Sequence, residues 1–373
     1  MTSPPPLYPG FSTPDIDRIW SAESRVGAML RFEEALALAL ADVGVAPREE
    51  AEEAAEACRR PVEDPEAILQ ATWERGTPVV ALLEEVGESR WLHFGATTQD
   101  TVDTAHMLLA RQSLVVLEEQ TTRMCRRLAE LAAAHRDQAH MARTFLQPAR
   151  PTTFGQRAAG WLETLLDHLE GIRRTRQSLA VQLGGPVGDR SAYGAAAPDV
   201  AAALARRLEL EATLVAWHSD RSRIWSLVEA VAAPVRSAAK VAQDLALLAS
   251  TEPPEVTMRA GGSSSMAEKQ NPIDAMRALA AAEACRGAAV MITGATPAEL
   301  DRGLGSWHIE WFALPLVFGT ASAVLEATAD ALESLQVDIA AMGTRVPPGE
   351  EATGDGAGVQ AVIGRFERLV GGP

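Results

Sequence analysis

Chemistry concentrates first in one short stretch, Gly261-Gly262-Ser263-Ser264-Ser265-Met266-Ala267-Glu268-Lys269-Gln270-Asn271-Pro272. It begins like a glycine and serine linker. It ends like a helix start: Asn271 is a good N-cap, Pro272 suits the first helical position, and Ile273, Met276, Leu279 and Ala280 continue on one face. A capped helix behind a flexible loop accounts for both ends and leaves Met266 and Lys269 without a purpose. A mobile serine loop beside a lysine and a helix N-terminus suits closure over a carboxylate, because the ammonium and the free helix amides both favour negative charge. Two more polar loops, His93 to Asp103 and Arg143 to Gly155, also gather glycine, proline and hydroxyl residues. Such loops are where a helical scaffold carries function. A fourth segment, Gln182 to Gly194, reads as a glycine-rich turn joining two long helices.

The serine loop resembles the signature G-S-S-x-M-P-x-K-x-N-P of the fumarase/aspartase superfamily at Gly262, Ser263, Ser264, Met266, Lys269, Asn271 and Pro272, with Ala267 in place of the proline. His93-Phe94-Gly95-Ala96-Thr97-Thr98-Gln99-Asp100 resembles H-x-G-x-T-S-x-D, and Arg143-Thr144-Phe145-Leu146-Gln147-Pro148-Ala149 resembles G-R-T-H-L-Q-x-A. The three matches fall in the family's order. The resemblance implies an all-α fold whose long central helices form a homotetrameric core, with each active site assembled from three chains. It implies that Ser263 transfers the proton at the carbon next to a carboxylate, while Lys269 and Asn271 hold that carboxylate as it becomes a dianionic aci-carboxylate. His93, Thr97, Thr98, Arg143, Thr144, Gln147, Ser264 and Met266 are implied substrate contacts. Such a carbon acid is very weak, so charge must be stabilised where it develops. Serine is a poor base unless Lys269, helix amides and exclusion of water lower its pKa on loop closure.

Narrowing within the superfamily rests on departures. Where the second loop usually carries a histidine that handles the leaving group, this chain has Phe145. A departing amine or hydroxide needs a proton, whereas a carboxylate, with a pKa of about 4, leaves without one. That chemistry fits the branch of 3-carboxy-cis,cis-muconate cycloisomerases, enzymes of protocatechuate degradation in the β-ketoadipate pathway, which form a lactone from an internal carboxylate. Asp301-Arg302-Gly303-Leu304-Gly305-Ser306-Trp307-His308-Ile309-Glu310-Trp311 resembles that branch's E-R-x-x-G-x-W-H-x-E-W. So do Pro151 to Gly155, Ala159 to Leu162, and the glycine turn Gln182 to Gly188. By this resemblance Arg302 is a substrate-facing guanidinium, a fork suited to carboxylates. His308 is an auxiliary acid or a polar bundle residue; Trp307 and Trp311 are packing residues. The branch commonly reads M-P-H-K-R-N-P, where this chain has Glu268 and Gln270 in place of histidine and arginine. Fewer cations suit a substrate with fewer charges, so a nitrosuccinate lyase, which releases nitrite and fumarate, is the alternative. A non-catalytic structural protein of the same fold is a third reading. The set Ser263, Lys269, Asn271 and Gln147 argues against it, since a bundle has no packing need for those residues.

The elements that must position these loops are helices. Ala110, Leu114, Leu117, Thr121, Met124, Leu128 and Leu131 recur at alternating spacings of three and four, as do Ala158, Leu162, Leu165, Leu169 and Ile172. Ile224, Val228, Val231, Val235, Ala238, Ala242, Leu245 and Ala249 form a third seam; Trp311, Leu314, Phe318, Ala321, Leu325, Thr328, Leu332, Leu335 and Ile339 form a fourth. A seam of this period packs helix on helix. A helix over 217–250 would span roughly 50 Å, more than one subunit covers alone; Pro234 should kink it rather than end it. The expected division is 1–93 an N-terminal helical domain, 94–342 the bundle, and 343–373 a short remnant of a third domain, with a loop at Val346 to Gly349 and one helix over Val359 to Val370. Pro4, Pro5, Pro6, Pro9 and Pro14 make a proline-rich start.

The 373 residues carry a formal net charge of −16, which disfavours nucleic acid, since duplex binding depends on Lys and Arg. With 47% apolar residues there is ample core. Cys58, Cys125 and Cys285 are scattered, as in a reducing compartment. No basic-then-apolar leader and no unbroken apolar run of about 18 to 20 residues is present, so the expected place is the cytoplasm and no membrane is involved. No H-E-x-x-H and no glycine-rich nucleotide motif occurs, so no metal or cofactor is expected. A small polycarboxylate needs only a local cationic pocket, and His93, Lys269, Arg302 and Arg143 supply one within an acidic body.

Overall fold

The computed structural model describes residues 9–266 and 268–371, so Pro4, Pro5, Pro6 and Ala267 lie outside the described residues. Six helices come first: α1 (Pro14–Ile19), α2 (Ala22–Asp42), α3 (Arg48–Cys58), α4 (Pro65–Gln70), α5 (Thr72–Arg75) and α6 (Val79–Val86). The bundle follows with α7 (Thr98–Ala134), a hairpin of β1 (Ala139–Thr144) and β2 (Gln147–Thr153), α8 (Phe154–Gln177), α9 (Ala197–Leu208) and α10 (Ser222–Ala249). The chain closes with β3 (Val256–Thr257), α11 (Ile273–Thr293), α12 (His308–Glu333), β4 (Gln336–Val337), α13 (Ile339–Gly343) and α14 (Gly356–Val370).

The four predicted seams are the buried or half-buried stripes of α7, α8, α10 and α12, most of whose apolar residues join one core, while Ile339, the last residue of the fourth, is exposed and opens α13. α10 runs unbroken through Pro234 but begins at Ser222, so its 28 residues span about 42 Å rather than 50. The fourth seam ends early. After Glu333 the chain turns into β4, where Val337 pairs with Val256 and the Asp338 amide donates to the Glu255 carbonyl, so strand pairing takes the place of another helical turn. α12 is long and apolar enough by composition to cross a membrane, and it is largely buried inside the protein, against α7, α10 and α11.

Hydrogen bonds give the direction of each helix. Trp307 Nε1 donates to Asp103, Gln120 Nε2 to the Ser322 hydroxyl and Arg127 Nε to the Leu332 carbonyl, so α12 runs parallel to α7. Arg221, just before α10, reaches Asp103 and Glu310, and the Thr328 hydroxyl on α12 donates to the Ala238 carbonyl, so α10 runs in the same sense. α8 runs against α10, because Trp161 bonds to Asp244 and His168 to Ser237. α11 returns against α12, with Cys285 near Val317 and Arg259 bridging Asp274 to Asp330. The starts of α7, α10 and α12 therefore share one end of the bundle. The hairpin, the start of α11 and the ends of α7, α10 and α12 share the other.

Three local readings of the sequence need correction. Arg143 to Gly155 is a β-hairpin leading into α8, not a loop, because Thr144 pairs with Gln147 across a tight turn. Gln182 to Gly194 does not lead directly into a long helix; it passes through a 3₁₀ turn at Ser191–Ala196 into α9, whose buried face packs on α2. Asn271 is not the N-cap of α11: its backbone pairs with Gly261, Pro272 becomes the cap, and the helix starts at Ile273. The face carrying Met276 and Ala280 points outward, while Ala275, Ala278 and Ala281 are buried, since alanines let α11 approach its neighbours closely. α14 forms as expected and docks on α7 and α8 through Val359 and Ile363.

Candidate active site

At the first end, Thr97 caps α7 in a capping box: its side chain takes the amide of Asp100 and the Asp100 carboxylate takes the amide of Thr97. Asp100 does more than cap. It is fully buried and also accepts from the amides of Gly184 and Gly185 at 2.8 Å and from His218 Nε2 at 2.7 Å. It thus ties the glycine turn to the loop before α7. Gly185 has φ +73°, and a Cβ there would lie 2.7 Å from the Gly95 carbonyl oxygen, so both the conformation and the space require glycine.

Arg302 reaches this cluster from the loop before α12. Its Nη1 donates to Thr97 Oγ1 at 2.8 Å and its Nη2 to the Pro186 carbonyl at 3.1 Å. No carboxylate of the chain pairs with it among the described residues, and its buried Nε–H has no partner. A guanidinium beside the N-terminus of a 37-residue helix is a concentrated positive site. His93, in a left-handed conformation at φ 55°, places Nδ1 2.8 Å from the buried Glu33 carboxylate, which also accepts from Thr101. Burial opposes its charge, but Glu33, and more weakly Asp100, hold the His93 imidazolium above the ordinary histidine value. Thr98 opens α7 directly behind the cap.

At the opposite end, Ser263 Oγ accepts from the Met266 amide at 3.1 Å and the Ser265 amide at 3.4 Å. Two amide donors on one hydroxyl oxygen favour negative charge there. Asn271 Nδ2 donates to the Gly262 carbonyl, closing the base of the loop, while Ser264, Met266 and Lys269 are exposed. Arg143, on β1, is engaged by Glu255 at 2.8 Å. Thr144 and Gln147 flank the hairpin tip, where Phe145 (φ 51°) and Leu146 (φ 63°) both adopt left-handed backbone and Phe145 is 98% exposed. A two-residue turn of this type favours asparagine and glycine. Two bulky apolar residues in it are a strained, outward-facing feature.

The structure thus divides the site residues read from the sequence. His93, Thr97, Thr98 and Arg302 come together. Ser263, Ser264, Met266, Lys269 and Asn271, with Arg143, Thr144 and Gln147, lie at the other end, beyond a 26-residue helix spanning about 39 Å. One chain cannot bring the two groups together. His308 belongs with neither: it opens α12 facing a cavity shared with Arg25 and His106, leans on Trp311, and burial lowers its pKa. Glu33 and His218 carry no local signal in the sequence. Each acts on the site from an element more than 50 residues distant, through a fold-dependent contact.

A family model described as lyase matches residues 10–294. A 3-carboxy-cis,cis-muconate cycloisomerase of Pseudomonas aeruginosa is 35% identical over 88% of this chain and 74% of its own length. A trans-aconitate decarboxylase of Mycosarcoma maydis is 33% identical over 88% of this chain and 69% of its own. The crystal structure of a 3-carboxy-cis,cis-muconate lactonizing enzyme from Pseudomonas putida superposes with a TM-score of 0.84 at 32% identity, covering 90% of this chain and 78% of that one. Motif order, helix directions and these likenesses agree: the chain belongs to the lyase family, among the enzymes of the fumarase/aspartase superfamily.

Proposed function

We propose that this enzyme is a 3-carboxy-cis,cis-muconate cycloisomerase, lactonising a small polycarboxylate in the cytoplasmic breakdown of protocatechuate. The observation that carries the reading is Phe145. At the exposed tip of the hairpin, where a leaving-group acid would stand, the side chain is apolar, which suits a group that departs without a proton.

The steps follow from the residues. A substrate carboxylate sits against Arg302, Thr97 and the first amides of α7, with His93 adding charge. The internal carboxylate oxygen adds to the alkene carbon β to a second carboxylate, and the π electrons move into that carboxylate to give the aci form. Lys269 and Asn271 stabilise this dianion, and Ser263 delivers a proton to the adjacent carbon, completing the lactone. In reverse, the Ser263 oxygen, favoured as an alkoxide by its two amide donors, removes that proton.

This scheme needs Ser263 of one chain beside Arg302 of another, and the family resemblance adds Gln147 from a third. A homotetramer meets that need. Trp225 and Leu247 on α10, Met276, Val290 and Met291 on α11, and Phe312 on α12 are exposed apolar residues along the bundle, which supports an assembly that covers them. Within it, we take 1–93, 94–342 and 343–373 as an N-terminal part, the bundle and a short accessory part, the last supported by the docking of α14. Glu268 and Gln270 favour a substrate with fewer charges, so nitrosuccinate is the second reading. The test is direct: loss of diene absorbance from carboxymuconate supports the cycloisomerase. Release of nitrite and fumarate from nitrosuccinate, with no turnover of the muconate, overturns it.

A further inference from the structure

Helix α2 buries an apolar stripe through Met29, Phe32, Leu36 and Leu40, and a carboxylate interrupts it: Glu33, one turn after Met29, is fully buried. Packing alone would be served there by leucine, since a buried charge is costly unless it is paired. Glu33 puts its side-chain hydrogen bonds on one oxygen. Oε1 meets Thr101 Oγ1 and His93 Nδ1, each at 2.8 Å, while Oε2 is buried with no hydrogen-bond partner among the described residues. Of these two partners, only His93 can carry a positive charge. The backbone fixes the ring as well. His93 holds a left-handed φ of 55°, its carbonyl accepts from the Ala96 amide at 3.2 Å, and the Tyr193 hydroxyl donates to the Phe94 carbonyl at 2.9 Å. A residue other than glycine keeps that conformation only where its surroundings enforce it. With Nδ1 committed to Glu33, Nε2 is the ring nitrogen left for a ligand. It makes no hydrogen bond among the described residues, and the side chain is 19% exposed.

We propose that Glu33 is a positioning residue of the active site: by taking the Nδ1–H of His93 it commits Nε2–H, as a donor, to a carboxylate of the substrate. The inference rests on the reading that a substrate carboxylate occupies the Thr97–Arg302 cluster, and it names the group that gives His93 its part there. With Nδ1–H held, a neutral ring would present a lone pair at Nε2 and repel an anion, whereas the imidazolium presents a second N–H. Burial opposes that charge; Glu33, and then Asp100, outweigh it, so the pKa is raised. The other groups around the pair are otherwise engaged. Asp100, from α7, meets His218 and the amides of Gly184 and Gly185. Tyr193, from the 3₁₀ turn, has its phenol pushed far up by burial and then by Asp100 and Glu33. The Cys58 thiol on α3 is pushed up to about 12, by burial first and then by Glu33. Arg302 donates to Thr97. A carboxylate in this cluster therefore meets the Arg302 fork and a His93 imidazolium that fades as pH rises.

The experiment is calorimetric titration of the purified protein with succinate between about pH 6 and about pH 9. Succinate is unreactive and carries carboxylates on adjacent carbons, the frame common to carboxymuconate and nitrosuccinate, so binding is read whichever of the two is turned over. In the wild type, affinity should fall as pH rises through the folded His93 value. Glu33→Gln keeps the shape and removes the charge. At pH 7 it should weaken binding about tenfold, and the pH at which binding fades should move down by about one unit or more, because burial then acts on the ring unopposed by Glu33. Glu33→Asp should recover part of both. His93→Gln should remove this pH dependence, and adding Glu33→Gln to it should cost little more. If Glu33→Gln does not fold, Glu33→Asp carries the test through a smaller shift in the same direction. An unchanged pH dependence in the Glu33 variants, an equal loss of affinity at every pH, additive losses in the double variant, or no succinate binding by the wild type would each overturn the proposal. Turnover of carboxymuconate is measured separately: its absence fails the proposed reaction, while pH-dependent succinate binding that follows Glu33 still supports the positioning role.

Discussion

Arg302 and Thr97 are 205 residues apart in the chain, yet the guanidinium Nη1 donates to the threonine hydroxyl at 2.8 Å. The bond joins the loop before α12 to the cap of α7, and its consequence is a cation held at a helix N-terminus with no carboxylate paired to it among the described residues. In the proposed reaction a substrate carboxylate is its counterpart.

Arg302→Lys should keep the charge and lose the fork, including the arm on the Pro186 carbonyl. The expected result is a rise in KM of on the order of tenfold with a smaller change in kcat. Arg302→Met should lower kcat/KM by on the order of 10²-fold, about 3 kcal/mol. Steady-state kinetics on the muconate substrate check both.

Ser263→Ala should leave folding and assembly unchanged, because among the described residues the side chain's hydrogen bonds stay within the loop. Its kcat should fall by on the order of 10² to 10⁴. A mutant with full activity and the wild-type oligomeric state overturns the proton-transfer assignment.

The separation of Ser263 from Arg302 along the bundle predicts complementation. Ser263→Ala and Arg302→Met chains, each nearly inactive, should recover activity when unfolded and refolded together. Random mixing of equal amounts leaves on the order of a quarter of the sites with both native residues. No recovery, with mixed tetramers demonstrated by mass spectrometry, means that one chain supplies both.

Asp100→Ala should be among the more destabilising single changes in this end of the molecule. It strands the amides of Thr97, Gly184 and Gly185 and the His218 ring at once. The expected cost is about 3 kcal/mol or more, read as a shift in denaturant midpoint at constant slope. Asp100→Asn, which keeps the acceptor oxygen, should cost less.

Two histidines should respond to pH with opposite sign. His140 is buried and accepts from Arg157 Nε at 3.0 Å, so its Nε2 must stay unprotonated. Burial first, then the Arg157 and Arg143 charges, press its pKa to about 3. The unfolded chain takes up that proton near pH 6.5, so the contribution is complete above that value and declines as pH falls from it towards about 3. His140→Gln should flatten the acid limb of the stability curve. His93 has a raised pKa, so its pairing with Glu33 is fully present below about pH 6.5 and is lost as pH rises through the folded value. His93→Gln should therefore lose more stability at about pH 6 than at about pH 9. Denaturant unfolding across pH checks both.

The period of the seams was legible because a helix buries a stripe wherever its partner lies, and Leu162, Val231 and Leu325 are buried as their spacing requires. The motif loops were legible because their residue types and order match the family's signatures. Elements decided by competition with distant backbone were not. The helix predicted to reach Ile339 stops at Glu333 because Val256 offers a strand partner, and Asn271 gives up its cap because Gly261 pairs with it.

By itself, then, the sequence determined a set of amphipathic helices and the chemistry of their loops, since both depend on residue type and local spacing. Only the tertiary structure decided which loops meet. Helix directions place Thr97 with Arg302 and leave Ser263 at the far end. Buried partners such as Glu33, Asp100 and His218 act through contacts across many residues of chain, which no local pattern encodes.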